Sequence, residues 1–260
     1  MGAGVSFGRG AAAQFGQLCA LGADVLVAMF RRPVQWREFV RQFWFVASVS
    51  ILPAALVSIP FGAVITLQLG SLTSQLGAEA FNGAASVLAV IQQASPIVTT
   101  LVVAGAGGSA ICAELGSRTI REEIDAMEVL GVSAVHRLVV PRVLAATVVA
   151  VLLNGMVGFV GVSGGYVFNV LVQGGTPGAF LASFSSLAQL PDLWIGEIKA
   201  VAFGFLAGLV ASYRGLHPKG GAKGVGDVVN QSVVITFLLL FFVNFVFSVI
   251  YLRLVPAKGA

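Results

Sequence analysis

No charged side chain occurs between Arg142 and Asp192, and Glu79 is the only one between Arg41 and Glu114. Between these two apolar tracts, residues 114–142 collect five of the chain's eleven acids and four of its fifteen basic residues. A charge at the centre of a bilayer costs roughly 2.5 to 3.5 kcal/mol. Nine charges packed so closely cannot lie inside one. The pattern predicts a short charged segment held in water between long membrane-embedded ones.

Composition sets the class. Of 260 residues 57% are hydrophobic and 10% charged, and the mean hydropathy is strongly positive. No water-soluble domain of this length has interior enough to hide that much apolar surface. A membrane-crossing helix needs about 20 apolar residues, and five stretches qualify: 43–75, 84–113, 138–172, 193–213 and 228–254. The expected fold class is therefore an all-α polytopic membrane protein. Residues 1–260 are read as one domain, with an N-terminal interfacial region at 1–42 and a transmembrane core at 43–260.

Five crossings put the termini on opposite sides, and the basic residues choose which. Twelve of them (Arg9, Arg31, Arg32, Arg37, Arg41, Arg118, Arg121, Arg137, Arg142, Arg214, Lys219 and Lys223) fall on the side of the N-terminus. Only Lys199, Arg253 and Lys258 fall on the other. The positive-inside rule then places the N-terminus and the charged segment in the cytoplasm. Gln14, Gly16 and Gln17 interrupt the early apolar residues, against a signal peptide. The net charge of +4 is spread over loops without interleaved aromatics, which gives no nucleic-acid surface. Cys19 and Cys112 lack metal-ligand spacing and read as packing residues.

The first three apolar stretches exceed a bilayer's thickness and must tilt, bend or extend beyond it. Pro53, Pro60 and Pro96 are expected bend points. Ahead of them Phe15, Leu18, Val25, Leu26, Met29 and Phe30 recur at helical spacing, the pattern of an amphipathic helix in the inner interface. Residues 173–192 are too polar to span and predict a small outer helix, with Thr176 as N-cap and Pro177 in its first turn. Gly155, Gly158, Gly161 and Gly164, and the pair Gly204 and Gly208, mark faces for close helix approach, read chiefly as packing within the chain.

Within the charged segment, Thr119 and Glu122 fit a capping box and Gly131 a terminator. Ile120, Ile124, Met127 and Leu130 then share one face, with Glu122, Asp125 and Glu128 on the other. Arg118 with Glu122 and Arg121 with Asp125 form i,i+4 pairs, while Glu123 and Glu128 are left without local partners. A solvated helix is the plain reading. Delivery by two long spans favours docking into a partner's groove. One acidic cluster without a second facing it argues against a metal site. His136 and His217 lie in different loops, and neither H-E-x-x-H nor a phosphate-binding G-x-x-x-x-G-K-[ST] occurs. The chain is thus expected to be no enzyme and to hold no cofactor; any nucleotide energy comes from another subunit.

The stretch AGAGGSAICAELGSRTIREEIDAMEVLGV, followed by LVVPR, resembles the signature of the MlaE/YrbE permeases, membrane subunits of ABC transporters that work with MCE-domain proteins. The LQLG around Gln68 and Gly70, Ile198-Lys199 and the YRG at Tyr213–Gly215 extend the resemblance. It implies five spans, an interfacial N-terminal helix and a coupling helix that docks on an ATPase, here carried by Glu114, Arg118, Arg121, Glu122, Glu123, Asp125 and Glu128. It also implies a lipid path, for which Gln68, Gln92, Gln93, Lys199 and Asn244 are the polar candidates. Lys199, beside Glu197, reads as a residue able to snorkel to the headgroup level or meet an anionic lipid. Ala106, Gln92 and Gln93 stand where family members commonly carry charge, which leaves room for a fatty acid or sterol beside a phospholipid. Arg, Ala, Gly and Val usage resembles actinobacterial chains, whose permeases occur as unlike pairs, so a heterodimer is favoured over a homodimer. The expected function is the permease subunit of an ABC-type lipid importer in the bacterial inner membrane; the alternatives are a secondary transporter or channel, or a membrane scaffold.

Overall fold

The structure is a computed structural model and describes residues 3–31, 35–78, 81–187 and 190–254. All of its regular structure is helical: α1 (Ala3–Met29), α2 (Trp36–Gln75), α3 (Asn82–Ile120), α4 (Glu123–Val129), α5 (Val135–Val172), α6 (Pro177–Leu187), α7 (Leu190–Gly215) and α8 (Gly221–Leu254). Five of these, α2, α3, α5, α7 and α8, are long and apolar enough to cross a membrane. They contain the five stretches expected from sequence. Each begins or ends further out, because polar residues such as Glu38, Gln42 and Arg118 continue the helix beyond the apolar run. At 1.5 Å per residue the 40 residues of α2 reach about 60 Å, twice a bilayer's hydrocarbon thickness.

Pro53 and Pro60 lie inside an uninterrupted α2. Pro96 acts differently. It has no N–H to give the carbonyl four residues back, and its ring crowds that carbonyl. α3 opens into a wider π turn at Val90–Ala94 just ahead of it, and into another at Val103–Gly108, where glycines are dense. α5 likewise starts with a π turn, Val135–Val139, ahead of Pro141.

Glycines set the helix spacing. A Cβ on Gly62 of α2 would lie 2.1 Å from the carbonyl oxygen of Gly161, and one on Gly204 of α7 would lie 2.7 Å from Thr147 Cα of α5. Side chains at these positions would force α2, α5 and α7 apart, so these small residues serve packing within the chain. The core they enclose includes Val46, Val98, Ile111, Leu115, Leu153 and Phe203. A second cluster joins α1 to α5 and α7 through Leu18, Val25, Val139, Val143 and Val210. The apolar stripe expected on α1 is thereby split: Leu18 and Val25 are buried, whereas Phe15, Leu26 and Phe30 face outward. The buried stripe of α1 instead runs Leu18, Gly22, Val25, Ala28, with Leu21 and Met29 beside it, a spacing that turns small residues toward α7.

Candidate functional site: a charged base and a polar group at the far end

Three helices meet at one buried guanidinium. Arg142, in the first turns of α5, is completely buried. Its Nη2 donates to Glu114 Oε1 of α3 at 2.7 Å and lies 3.6 Å from Glu38 Oε1 of α2, and its Nη1 donates to the Leu138 carbonyl at 2.7 Å. Gln42 Nε2 bridges the two carboxylates, at 3.0 Å to Glu38 and 3.2 Å to Glu114. Arg118 Nη2 adds a 3.0 Å contact to Glu114 Oε1. Two carboxylates thus face two guanidiniums, the balance a buried charge requires. The helix ends that emerge around the charged segment are bolted together at its root.

Beyond this base the chain departs from the expected capping box. α3 runs on to Ile120, and Thr119 Oγ1 donates to the Leu115 and Gly215 carbonyls instead of capping a new helix. The break comes at Glu122, whose φ of 58° is the one positive value at a non-glycine among the described residues. This left-handed residue turns the chain sharply, and the seven-residue α4 follows, closed by Gly131 at φ 74°. The turn also redraws the ion pairs. Arg118 and Arg121 meet Glu123, at 3.6 and 2.9 Å, rather than Glu122 and Asp125. Glu123, expected to lack a partner, has two.

One face of α4 behaves as expected, with Ile124 buried and Met127 packed against the core. Leu130 does not. It is 78% exposed and Val129 88% exposed, because α4 ends before the helical face can carry Leu130 inward. Glu122, Asp125 and Glu128 are exposed as well, without an ion pair among the described residues. The outward surface of α4 is therefore acidic with an apolar tip.

Near the opposite end of the helices lies a second polar group. Lys199 of α7 is 1% exposed, so it does not snorkel; it points inward between spans. Its Nζ donates to the Gln92 carbonyl at 3.1 Å and to Ser248 Oγ of α8 at 2.9 Å. Gln92 is the residue four before Pro96, and its carbonyl lacks the N–H that an α-helix would supply there. The ammonium fills that vacancy. Gln92 Nε2 donates to Asp192 Oδ1 at 2.7 Å, Tyr251 donates its hydroxyl to the same oxygen, and Gln93 Nε2 reaches Ser248 Oγ at 3.4 Å. Alongside, Asn154 of α5 donates to Glu197 Oε1 at 3.1 Å and accepts from Ser95 Oγ at 2.8 Å.

Of the five sequence-predicted path residues, Gln92, Gln93 and Lys199 come together here. Asn244 sits one turn below Ser248 on α8, its Oδ1 buried without a hydrogen bond among the described residues. Gln68 is exposed on α2 and takes no part in the group. Asp192, Ser248 and Tyr251 were missed, as were Arg142, Glu38 and Gln42 at the base. The one sequence signal for this second group is the proline four residues after Gln92.

Residues 39–250, from α2 to near the end of α8, match the family described as permease MlaE. The chain belongs to the MlaE permease family. Among its relatives, a probable ABC transporter permease protein of Synechocystis is 31% identical over 88% of this chain and 87% of that one. One of Rickettsia bellii with the same description is 27% identical over 93% of each. The chloroplastic protein trigalactosyldiacylglycerol 1 of Arabidopsis thaliana is 28% identical over 88% of this chain and 65% of that one. An MlaE permease with such relatives is a multi-pass transport subunit rather than an enzyme. The actinobacterial cast read from residue usage is not borne out by these cyanobacterial, rickettsial and plant relatives. The MlaE match begins within α2, after α1.

Proposed function

We propose that this MlaE permease is the membrane subunit of an ABC-type lipid importer in the bacterial inner membrane, with its N-terminus and α4 in the cytoplasm. A separate ATPase subunit grips α4 and supplies the energy of ATP hydrolysis. A second permease, in a heterodimer, completes the lipid cavity, and MCE-domain proteins extend the path outward. The observation that carries this reading is the mounting of α4: a short acidic helix with exposed Val129 and Leu130, tied to α3 by buried Ile124 and the Arg118–Glu123 pair, beside a root where buried Arg142 and the half-buried Glu114 and Glu38 join three spans. A push on α4 is transmitted to α2, α3 and α5 together, as coupling between an ATPase and a membrane cavity requires.

The outer polar group supports a lipid with a small anionic head, such as a fatty acid. Lys199 is surrounded by neutral acceptors, a carbonyl and a hydroxyl, so an entering carboxylate would gain a charge-assisted hydrogen bond. Reversal of the exposed acids, Glu122→Lys, Asp125→Lys and Glu128→Lys together, tests the docking role. The triple variant is expected to insert normally yet lose the ATPase on co-purification. Stoichiometric retention of the ATPase would remove α4 from the docking role.

A further inference from the structure

At the end of α7 opposite Lys199, two cavities adjoin. One, of about 400 Å³, lies between α1, the loop after α7 and the first turns of α8, and Tyr213, Arg214, His217, Lys219 and Asp227 supply its titratable lining. The other, of about 190 Å³, is apolar and lies deeper, against Leu18, Val210, Ile235 and Leu239. Gln14, Tyr213 and Arg214 line both, so a polar chamber at the water boundary opens onto an apolar groove inside the membrane. We propose that this cleft binds an anionic phospholipid, with the phosphate among the cations and an acyl chain along the groove.

Arg214 carries the argument. It is half-buried, and among the described residues its guanidinium donates to two neutral amides, Gln231 Oε1 at 3.3 Å and Gln14 Oε1 at 3.2 Å. Both bonds are long, both glutamines are exposed, and no carboxylate lies within ion-pair distance of Arg214 among the described residues. A phosphate offers the same fork two charged acceptors. Lys219, in the loop between Gly215 and Gly221, is also without an ion pair there. Two fixed cations therefore outweigh Asp227, and His217 adds a third charge when protonated. Basic pockets between spans at a membrane surface select anionic headgroups, and the groove selects against a free phosphate because it remains unfilled. Tyr213 donates to Gln17 Oε1 at 2.7 Å across the same cleft, so a lipid there clasps α1 to α7. Arg214 is fifteen residues from Lys199 along α7, about 22 Å, which makes this a site distinct from the proposed path.

Native mass spectrometry of the full chain in detergent tests this without reference to transport or orientation. Phosphatidylglycerol is expected to be retained about fivefold over phosphatidylcholine of identical chains, because Arg214 and Lys219 against Asp227 leave one net interfacial cation, worth about fivefold. Lys219→Gln, an exposed change that leaves folding intact, should reduce the preference several-fold, and Arg214→Gln with Lys219→Gln should abolish it. Ile235→Trp, which fills the groove, should weaken both lipids alike. Glycerol phosphate at millimolar concentration should displace nothing. Equal retention of the two lipids, a preference untouched by the Gln variants, or displacement by glycerol phosphate would each overturn the assignment, the last in favour of a soluble phosphate.

Discussion

The buried base makes a quantitative prediction about which partner matters more. At 2.7 Å and an effective dielectric of 20, Arg142 and Glu114 attract by about 6 kcal/mol, a gross value opposed by the desolvation of both. Removing one member of such a pair typically costs about 3 to 5 kcal/mol, because the other is stranded. The two removals are unequal here. Without Arg142, Glu114 retains Arg118 and Gln42, so Arg142→Met belongs near 3 kcal/mol. Without Glu114, the wholly buried Arg142 keeps only Glu38 at 3.6 Å and the Leu138 carbonyl, so Glu114→Leu belongs near 5 kcal/mol. Combining them removes both charges, and the double variant should be at least about 2 kcal/mol more stable than the sum of the single effects. Reversible unfolding of the purified chain in mixed detergent reads all four corners of this cycle. Costs that add to within about 0.5 kcal/mol, or an Arg142→Met more damaging than Glu114→Leu, would refute the picture of a shared buried base.

Three further outcomes follow from named contacts. Lys199→Ala should lower lipid uptake by about tenfold, the worth of one charge-assisted hydrogen bond, while assembly and basal ATP hydrolysis survive; unchanged uptake in a normally assembled variant removes Lys199 from the path. Cysteines at the exposed Ser71 and Gly178 should react with an impermeant reagent from outside, and one at Ser133 only after permeabilisation. For the loop before α8 the probe belongs at exposed Ala222 rather than Gly221, whose φ of 71° strains any side chain, and external labelling of Ser133→Cys or Ala222→Cys overturns the orientation. Gly62→Ala should destabilise by about 1 to 3 kcal/mol, since its Cβ meets the Gly161 backbone; thermal unfolding within error of the parent would mean that α2 and α5 are not in the contact described.

The long helices were legible because apolar length is a one-dimensional signal, and 138–172 in sequence is Val135–Val172 in space. The charged segment was legible as a segment but not in its local shape. Thr119 and Glu122 satisfy the capping box by type, yet the preceding span had enough helical continuity to absorb Thr119, moving the break to Glu122. Partner choice was hidden for the same reason that it matters. Arg142 finds Glu38 and Glu114 only when three helix ends converge, and no spacing rule relates positions 38, 114 and 142. At the outer group, Lys199 was placed at the membrane edge from its distance to the span's start, and its inward direction depends on α8 supplying Ser248.

The two π turns of α3 have a rotational consequence. In an α-helix each residue advances about 100° around the axis, and each π turn slips in roughly one residue that the α-helical count does not contain. Gln92 and Glu114 sit on one helix with the Val103–Gly108 turn between them, so the angle separating them is offset by about 100° from the one their spacing implies. Lys199 and Arg142, held by other helices, each catch their residue on α3 because of that offset. α3 thus works as a shaft whose two ends are keyed to different neighbours. Relaxation of the glycine-rich turn to plain α-helix would twist one end relative to the other, so the Gln92 and Glu114 contacts could not both be kept.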